Sequence, residues 1–544
     1  MARETVLGVG SAPTTTEAST DSLADRPFLL RLGLFYVALS LAMLFSLDRY
    51  WSANWDVEIF LHAARTLWDG GSPFDLYEKS RAAWPWPYPY PPLYALLLAP
   101  FVWLADMISG SSVTVWSQLI AVRLPVFVAD LAIAALLHRI LRQATGEQWI
   151  ARLGAALWLL NPILFYQTAV QAHQESIWLW PTLVAYAWVQ EHRLERAWWP
   201  MLLLALAITL KQSAVIYAIP FGLFLLWERR WLDIAMFAGL FALIFGAVSL
   251  PFALYSDDFR YMVFEDVRKM PVQVQSWQVW TLALPDFLIE QTRTTFPTVR
   301  YAALLTVGAA SLLSVWALWK QRSWYVIGVA VTLAFVLTSQ KVMAYHYPML
   351  LPWLIAYALR PRRFALLSIA LLWTSWVLVS PYFAPWANAS HLLFYASLGT
   401  LNSLFYGWLL WQVLAGDDHA RRTAQPGELQ AAVSLSHWLA LLALAFALAC
   451  VAHPLRAALP NTLTTLLLLL GALLFVVLLL FPPIATWGER VLALPLAEQR
   501  RASLRPSHLA VSLLLVPLFF TWFTMSAEIT AVIEKGILQA WGLQ

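Results

Sequence analysis

The chain has 544 residues, of which 60% are hydrophobic and 12% are charged, and its formal net charge is +4. Soluble domains carry about 25% charged residues, so this composition excludes an ordinary soluble protein. The small net charge gives no support for nucleic-acid binding. Apolar runs of about 20 residues recur along the chain, which predicts an all-α polytopic membrane protein. A single cysteine, Cys450, excludes an internal disulfide.

Residues 1–26 are rich in Ala, Ser and Thr and contain no apolar run, which predicts a disordered cytoplasmic tail. The first membrane span is predicted from about Phe28 to Leu47, with Arg26 and Arg31 at its start. Because basic residues flank spans on the cytoplasmic side, the N-terminus is expected in the cytoplasm and the following residues outside.

The first exterior loop, residues 48–115, carries the acidic pair Asp56 and Glu58. Residues 56–68 have apolar side chains at helical spacing, which predicts a helix lying in the membrane interface. The apolar stretch from Pro91 to Leu104 is bounded by prolines and short for a crossing. We therefore expect a second exterior interfacial or re-entrant helix there, since a crossing would place the basic residues of 139–152 outside.

The other predicted spans place basic clusters on the cytoplasmic side throughout, and the bundle totals about 13–15 transmembrane helices. They fall near 116–138, 149–168, 174–190, 198–211, 213–228, 231–252, 299–319, 323–338, 346–359, 364–380, 390–414, 435–452, 461–482 and 508–530. Residues 27–380 are predicted to form the functional module, with a second large exterior loop at 253–300. Residues 381–544 are predicted to form a C-terminal transmembrane bundle.

Two of these spans are short and meet at Lys211-Gln212, which suggests a cavity entered from outside. The remaining polar groups also concentrate at exterior span ends: Gln171, His173, Gln174, Glu175 and Ser176; Lys211 and Gln212; Gln340, Lys341, His346 and Tyr347. Carboxylates that accept a proton and cations that stabilise a phosphate suit a reaction on a lipid-linked phosphate.

Several of these features have structural alternatives. Arg123 and Asp130 lie two turns apart in one predicted span, where they could hold helices together or face an anionic lipid headgroup. His173-Gln174-Glu175 could belong to a metal site, but no companion pair has ligand spacing, so a structural or sugar-binding role is favoured. The aromatic and proline run Trp84–Tyr90 could form an interfacial belt, a sugar-stacking surface or a rigid strut.

The order of these motifs resembles the GT-C superfamily of polyprenyl-phosphate-sugar-dependent glycosyltransferases. It is most similar to the catalytic subunit that adds the first mannose of glycosylphosphatidylinositol, and to bacterial polyprenyl-phosphate-mannose-dependent mannosyltransferases. The residues that carry the resemblance are Asp56-Val-Glu58, Phe60, Ala63-Ala64-Arg65, Gly70-Gly71-Ser72-Pro73, Tyr90-Pro-Pro92-Leu93, Arg123, Asp130-Leu131, Arg139, Leu160-Asn161-Pro162, Gln174-Glu175-Ser176-Ile177, Leu210-Lys211, Gln340-Lys341-Val342 and His346-Tyr347.

The resemblance implies a GT-C-like bundle, a polyprenyl-phosphate-sugar donor, an inverting transfer and no essential metal. It assigns Asp56 as general base and Glu58 to positioning of the acceptor or the loop. It places Glu175 near the donor and Lys211 and Lys341 at the leaving phosphate. Further candidates for binding the donor or its phosphate are Arg123, His173, Gln174, His346, Arg268 and Lys269. Two positions depart from the family pattern: Gln171-Ala172-His173 replaces Arg-Gly-Asn, and His346 replaces Gln.

The expected activity is transfer of a hexose, with mannose favoured, to a lipid-linked or glycan acceptor outside the plasma membrane. The expected partners are the donor, the acceptor and membrane lipids, with no nucleic acid and no metal cofactor. Alternatives are a transporter or flippase of lipid-linked sugar, or a GT-C enzyme that uses arabinose, glucose or a protein acceptor. A transporter predicts ionisable residues at the bilayer midplane, whereas the acids here concentrate in an exterior loop.

Overall fold

The computed structural model describes residues 17–46, 55–69, 71–83, 88–109, 115–165, 172–265, 301–340, 342, 344–359 and 389–416, with single positions between 363 and 374. Within these residues the backbone is helical, and no strand occurs. The helices are α1 (Glu17–Ser46), α2 (Trp55–Arg65), α3 (Leu76–Ala83), α4 (Pro92–Ser109), α5 (Val115–Thr145), α6 (Gln148–Leu159), α7 (Pro162–Phe165), α8 (Glu175–His192), α9 (Trp198–Leu210), α10 (Val215–Trp227), α11 (Trp231–Tyr255), α12 (Asp257–Arg260), α13 (Ala302–Trp319), α14 (Trp324–Thr338), α15 (Leu351–Ala358) and α16 (Ala389–Ala415).

Four of the described helices are long and apolar enough to cross a membrane: α4, α5, α11 and α13. Shorter apolar helices, among them α9, α10 and α14, fill the space between them. The prediction of an all-α polytopic membrane protein is therefore confirmed. The predicted spans at 435–452, 461–482 and 508–530 lie outside the described residues, as does most of the second exterior loop.

Helix α1 begins at Glu17, nine residues before the predicted end of the N-terminal tail at residue 26. Asp25 in this helix is 3% exposed and contacts Arg152 Nη2 at 2.8 Å, His138 Nε2 at 3.3 Å and Gln148 Nε2 at 2.6 Å. These contacts join α1 to α5 and α6, so the expectation of disorder up to residue 26 is wrong for 17–26. Residues 1–16 lie outside the described part of the chain.

Two apolar cores hold the helices together. The larger one is formed mainly by α5, α6, α8, α9, α10, α14 and α15, with the indoles of Trp158, Trp178 and Trp353 fully buried. The smaller one is formed by α2, α4 and the first half of α5, with Tyr77, Tyr88 and Tyr94 at its centre. The smaller core therefore forms a separate layer over one end of the bundle.

The predicted interfacial helix at 56–68 exists as α2, but it lies inside this smaller core. Val57, Ile59, Phe60 and Leu61 are each at most 6% exposed, and at 100° per residue they lie on more than one side of the helix. It packs against α3, α4 and α5, so the expectation of a helix with one face in the lipid interface is wrong for most of its surface.

Helix α4 is longer than the sequence suggested. Its 18 residues span about 27 Å, which is enough to cross the hydrocarbon core. Its contacts nevertheless keep both ends near the smaller core: Asp106 receives hydrogen bonds from Arg65 at the end of α2 and Gln118 near the start of α5. The segment that leads into α4 receives a hydrogen bond from Gln212, at the junction of α9 and α10.

Candidate active site

Asp56 lies in the first turn of α2, where its side chain remains 39% exposed while the next residue, Val57, is fully buried. Glu58 lies in the same turn and is partly buried. Residues two apart on a helix point in different directions, about 200° round the axis. The structure therefore places Asp56 at the site described below and directs Glu58 elsewhere along the helix.

His173 lies next to Asp56. Its Nε2 is 3.2 Å from Asp56 Oδ2, and its Nδ1 is 3.7 Å from Glu175 Oε2. The imidazole ring stacks on Tyr345, with 4.0 Å between ring centroids and 25° between planes. The ring is therefore held between two carboxylates and one aromatic face.

Glu175 and Lys211 form the buried end of the same group. Lys211 Nζ donates to Glu175 Oε1, and the two side chains are 6% and 2% exposed. Glu175 begins α8, and Lys211 lies in the extended break between α9 and the 3-10 turn that precedes α10. The short helical hairpin predicted from the sequence is confirmed, and the break between its two helices places Lys211 beside Glu175.

Two tyrosines enclose this ion pair. Lys211 Nζ lies 5.2 Å from the ring centroids of both Tyr90 and Tyr345, within the range of cation–π attraction. Burial, together with repulsion from neighbouring groups that include Asp56 and Glu175, raises the pKa of both phenols well above their usual values. Both hydroxyls therefore stay protonated near neutral pH and can act as hydrogen-bond donors.

Several buried polar atoms near this group form no hydrogen bond among the described residues. They belong to the Gln174 amide, which has neither donor nor acceptor satisfied, and to Glu175 Oε2, Gln212 Oε1 and Ser213 Oγ. Buried polar atoms are nearly always paired in folded proteins. These atoms are therefore available to a bound polar ligand or to water.

The aromatic and proline run is described from Tyr88 onward. Tyr88 is fully buried and Tyr90 is 7% exposed, and the Tyr77 hydroxyl donates to the Tyr90 carbonyl at 2.7 Å. These two tyrosines pack inside the protein, so the interfacial-belt alternative does not apply to them. Their segment forms one wall of the site, while residues 84–87 lie outside the described part of the chain.

The remaining predicted site residues are not all brought together. Arg123 is fully buried in α5 and donates to the Leu119 carbonyl at 2.8 Å. His346 contacts Tyr345 and Phe335. It follows Tyr345, the residue on which His173 stacks, in the sequence. Lys341, Arg268 and Lys269 lie outside the described residues.

Asp130 holds helices together. Its Oδ2 accepts from the Tyr36 hydroxyl at 2.5 Å, and its carbonyl accepts from Trp158 Nε1 at 3.0 Å. These contacts join α5 to α1 and α6, which favours the packing alternative for this acid.

The sequence did not single out Tyr345, which forms the face on which His173 stacks. The motif resemblance includes its neighbours His346 and Tyr347, but neither the motifs nor their spacing indicate a role for Tyr345. No group of three or more metal-ligating side chains suited to a metal occurs in the described part of the chain.

Residues 91–255 match the family model described as dolichyl-phosphate-mannose-protein mannosyltransferase. The matched region contains α4 to α11, and with them His173, Glu175 and Lys211. No curated protein matches the chain. The match covers less than a third of the chain, and it supports the resemblance of the motif series to GT-C glycosyltransferases that use a polyprenyl-phosphate-linked sugar.

Proposed function

We propose that this protein transfers mannose from a polyprenyl-phosphate-mannose donor to a hydroxyl of a lipid or glycan acceptor, with inversion at the anomeric carbon. The observation that carries the proposal is the placement of the half-open Asp56 carboxylate beside His173, Glu175 and Lys211. This arrangement puts a proton acceptor, a cation and unpaired polar groups in one place. The matched family supports the donor class.

Asp56 is the general base. Its carboxylate takes the proton from the acceptor hydroxyl while that oxygen forms a bond to the anomeric carbon. The bond between the anomeric carbon and the phosphate oxygen breaks, and the electron pair leaves with polyprenyl phosphate. A single displacement of this kind inverts the anomeric configuration. Glu58, which points away from this group along α2, positions the acceptor or the loop.

The leaving phosphate gains one negative charge in this step. Among the described cations, Lys211 is connected to Asp56 through Glu175 and His173. Its ammonium is paired with Glu175, so part of its charge is already compensated before donor binds. The rest of this role is assigned to cations outside the described residues: Lys341 by resemblance, and Arg268 and Lys269 as bases of the second exterior loop. Arg123 is fully buried in α5, and its proposed role at the leaving phosphate rests on its match to the motif series.

The transferred sugar is neutral, and the unpaired polar atoms suit it. The Gln174 amide and the protonated hydroxyls of Tyr90 and Tyr345 can bond sugar hydroxyl groups without adding charge. His346 lies behind Tyr345 and supports that ring. Because lipid-linked phosphate is a good leaving group, the reaction as proposed needs no metal.

The site is proposed to face the exterior of the plasma membrane. Glu175 and Glu191 lie near opposite ends of α8, and Glu191 pairs with Arg139 at the end away from the site. Basic residues such as Arg193 and Arg230 collect at that far end, where the positive-inside rule favours the cytoplasm. Helix α5 is long enough to cross, and Asp106 near the end of α4 contacts Arg65 of α2 and Gln118 near the start of α5, so α4 is proposed to start and finish on the side of Asp56.

Transfer in proteoliposomes tests the proposal. Purified protein is supplied with polyprenyl phosphate that carries labelled mannose, and in parallel reactions with the glucose and arabinose counterparts, together with a panel of lipid and glycan acceptors. We expect labelled product from the mannose donor, with the anomeric configuration opposite to that of the donor. Retained configuration, transfer of another sugar only, or transmembrane movement of the donor without transfer would contradict the proposal.

A further inference from the structure

His173 has contacts on three sides, and one of them is with the Asp56 carboxylate. Its Nε2 faces Asp56 Oδ2 at 3.2 Å, its Nδ1 faces Glu175, and its ring lies flat on Tyr345. The side chain is 1% exposed, whereas that of Asp56 is 39% exposed. The buried imidazole therefore lies behind the more open carboxylate.

The backbone before His173 is strained. Ala172 has φ of 52°, in the left-handed region that residues with a Cβ seldom adopt, and it is completely buried. Strain of this kind persists where the surrounding structure enforces it, and it often marks a functional position. Here it turns the chain so that His173 points back toward α2 immediately before α8 begins.

We infer that His173 is a positioning residue for Asp56. An N–H at Nε2 holds Asp56 by Oδ2 and directs Oδ1 toward the acceptor hydroxyl. On the other side of the ring, Nδ1 faces Glu175 Oε2 at 3.7 Å, and Glu175 is itself fixed by Lys211, so Lys211, Glu175 and His173 together hold Asp56 in place. The inference rests on the proposed function, in which Asp56 removes the proton.

The Nε2 to Oδ2 distance is at the long end for an N–H···O hydrogen bond, and the ring is not aligned for one. Catalytic hydrogen bonds are often long in the empty site and shorten when substrate binds. The alternative is that His173 serves only as a flat packing partner for Tyr345. Three substitutions separate the two roles because each preserves a different part of the imidazole.

His173→Gln places an amide donor close to the position of Nε2, and His173→Asn places one close to Nδ1. His173→Phe retains the stacked ring and has no donor. Misplacement of a reacting group by about 1 Å costs about 100-fold in rate. We expect kcat to fall about 100-fold in the Phe and Asn variants, with the Gln variant retaining most of its kcat and with KM for the donor unchanged in all three.

A packing role predicts the reverse order, with the Phe variant active and the Gln variant impaired, and that result would overturn the inference. A double-mutant cycle with Asp56→Asn is the second measurement. If His173 acts through Asp56, adding His173→Phe to Asp56→Asn causes little further loss. A full additional 100-fold loss would show independent action and would also overturn it.

The proposed function can fail separately from this inference. If the wild-type protein transfers no sugar from any donor, the proposed function fails, and the positioning role is then tested by an experimental structure of the His173→Phe variant. We expect the Asp56 carboxylate in that structure to leave its position beside residue 173. An unchanged carboxylate would overturn the inference whatever the activity.

Discussion

Lys211 and Glu175 form an ion pair whose two side chains are almost completely buried at the point where α9 gives way to α10. The pair connects the helix hairpin to the start of α8, and two tyrosine rings cover the ammonium group. A cation that the sequence assigned to the leaving phosphate thus also has a structural partner. Its two roles can be separated by substitution.

Removing one member of this pair should be more harmful than removing both. Lys211→Met leaves the Glu175 carboxylate buried without its cation, which costs about 3–5 kcal/mol of stability for a buried pair. Glu175→Gln should cost a similar amount, and the double variant should lose clearly less than the sum. Thermal unfolding of the three variants in detergent measures this. Strict additivity of the two losses would contradict a coupled buried pair.

A second prediction concerns the attachment of α1. Asp25→Asn removes the negative charge that faces Arg152 and His138, both of which are mostly buried. We expect a loss of about 3 kcal/mol in stability, because Arg152 then lacks its counter-ion. The measurement is again thermal unfolding in detergent.

The matched control for this second prediction is Glu228→Gln, which breaks the exposed pair between Arg193 and Glu228. Exposed pairs contribute about 1 kcal/mol at most, so this control should change little. Equal losses in the two variants would show that the cluster around Asp25 does not fasten α1.

A third prediction concerns the contact between α14 and α15. A Cβ placed on Gly328 would lie 2.4 Å from an atom of the Trp353 ring, which is rigid and fully buried. Gly328→Ala should therefore lower stability by about 1–3 kcal/mol, as overpacking of a core does.

Gly222, inside α10, is the control for the third prediction because a Cβ there meets nothing within 4 Å. Gly222→Ala should leave stability unchanged or raise it by up to about 1 kcal/mol, through the better helix propensity of alanine. Both variants are compared by unfolding midpoint. An unfolding midpoint for Gly328→Ala equal to that of wild type would mean that α14 and α15 pack less closely than the 2.4 Å approach to Trp353 indicates.

Features set by local sequence were predictable. The apolar runs that became α8, α11, α13 and α14 were placed within a few residues, and the break at Lys211-Gln212 was recognised from two short apolar runs in succession. Asp56, His173, Glu175 and Lys211 were all named as site residues from their positions at span ends and from the motif resemblance.

Features set by packing between distant segments were not predictable. The Tyr36 hydroxyl and Asp130 are 94 residues apart, and no pattern in either helix specifies the other as partner. The burial of α2 was missed because its apolar face fits a lipid interface as well as a protein core. The stacking of His173 on Tyr345 depends on how the segments before α8 and α15 approach one another, which the order of motifs does not contain.

Asp56 is the proposed base of the transfer reaction. The most direct measurement is the rate of labelled mannose transfer by Asp56→Asn protein in proteoliposomes, beside wild type and Asp69→Asn, which removes an exposed carboxylate just beyond α2. We predict that Asp56→Asn lowers kcat by about 10²–10⁴-fold, the usual contribution of a general base, while Asp69→Asn matches wild type. Full turnover by folded Asp56→Asn protein would contradict the account.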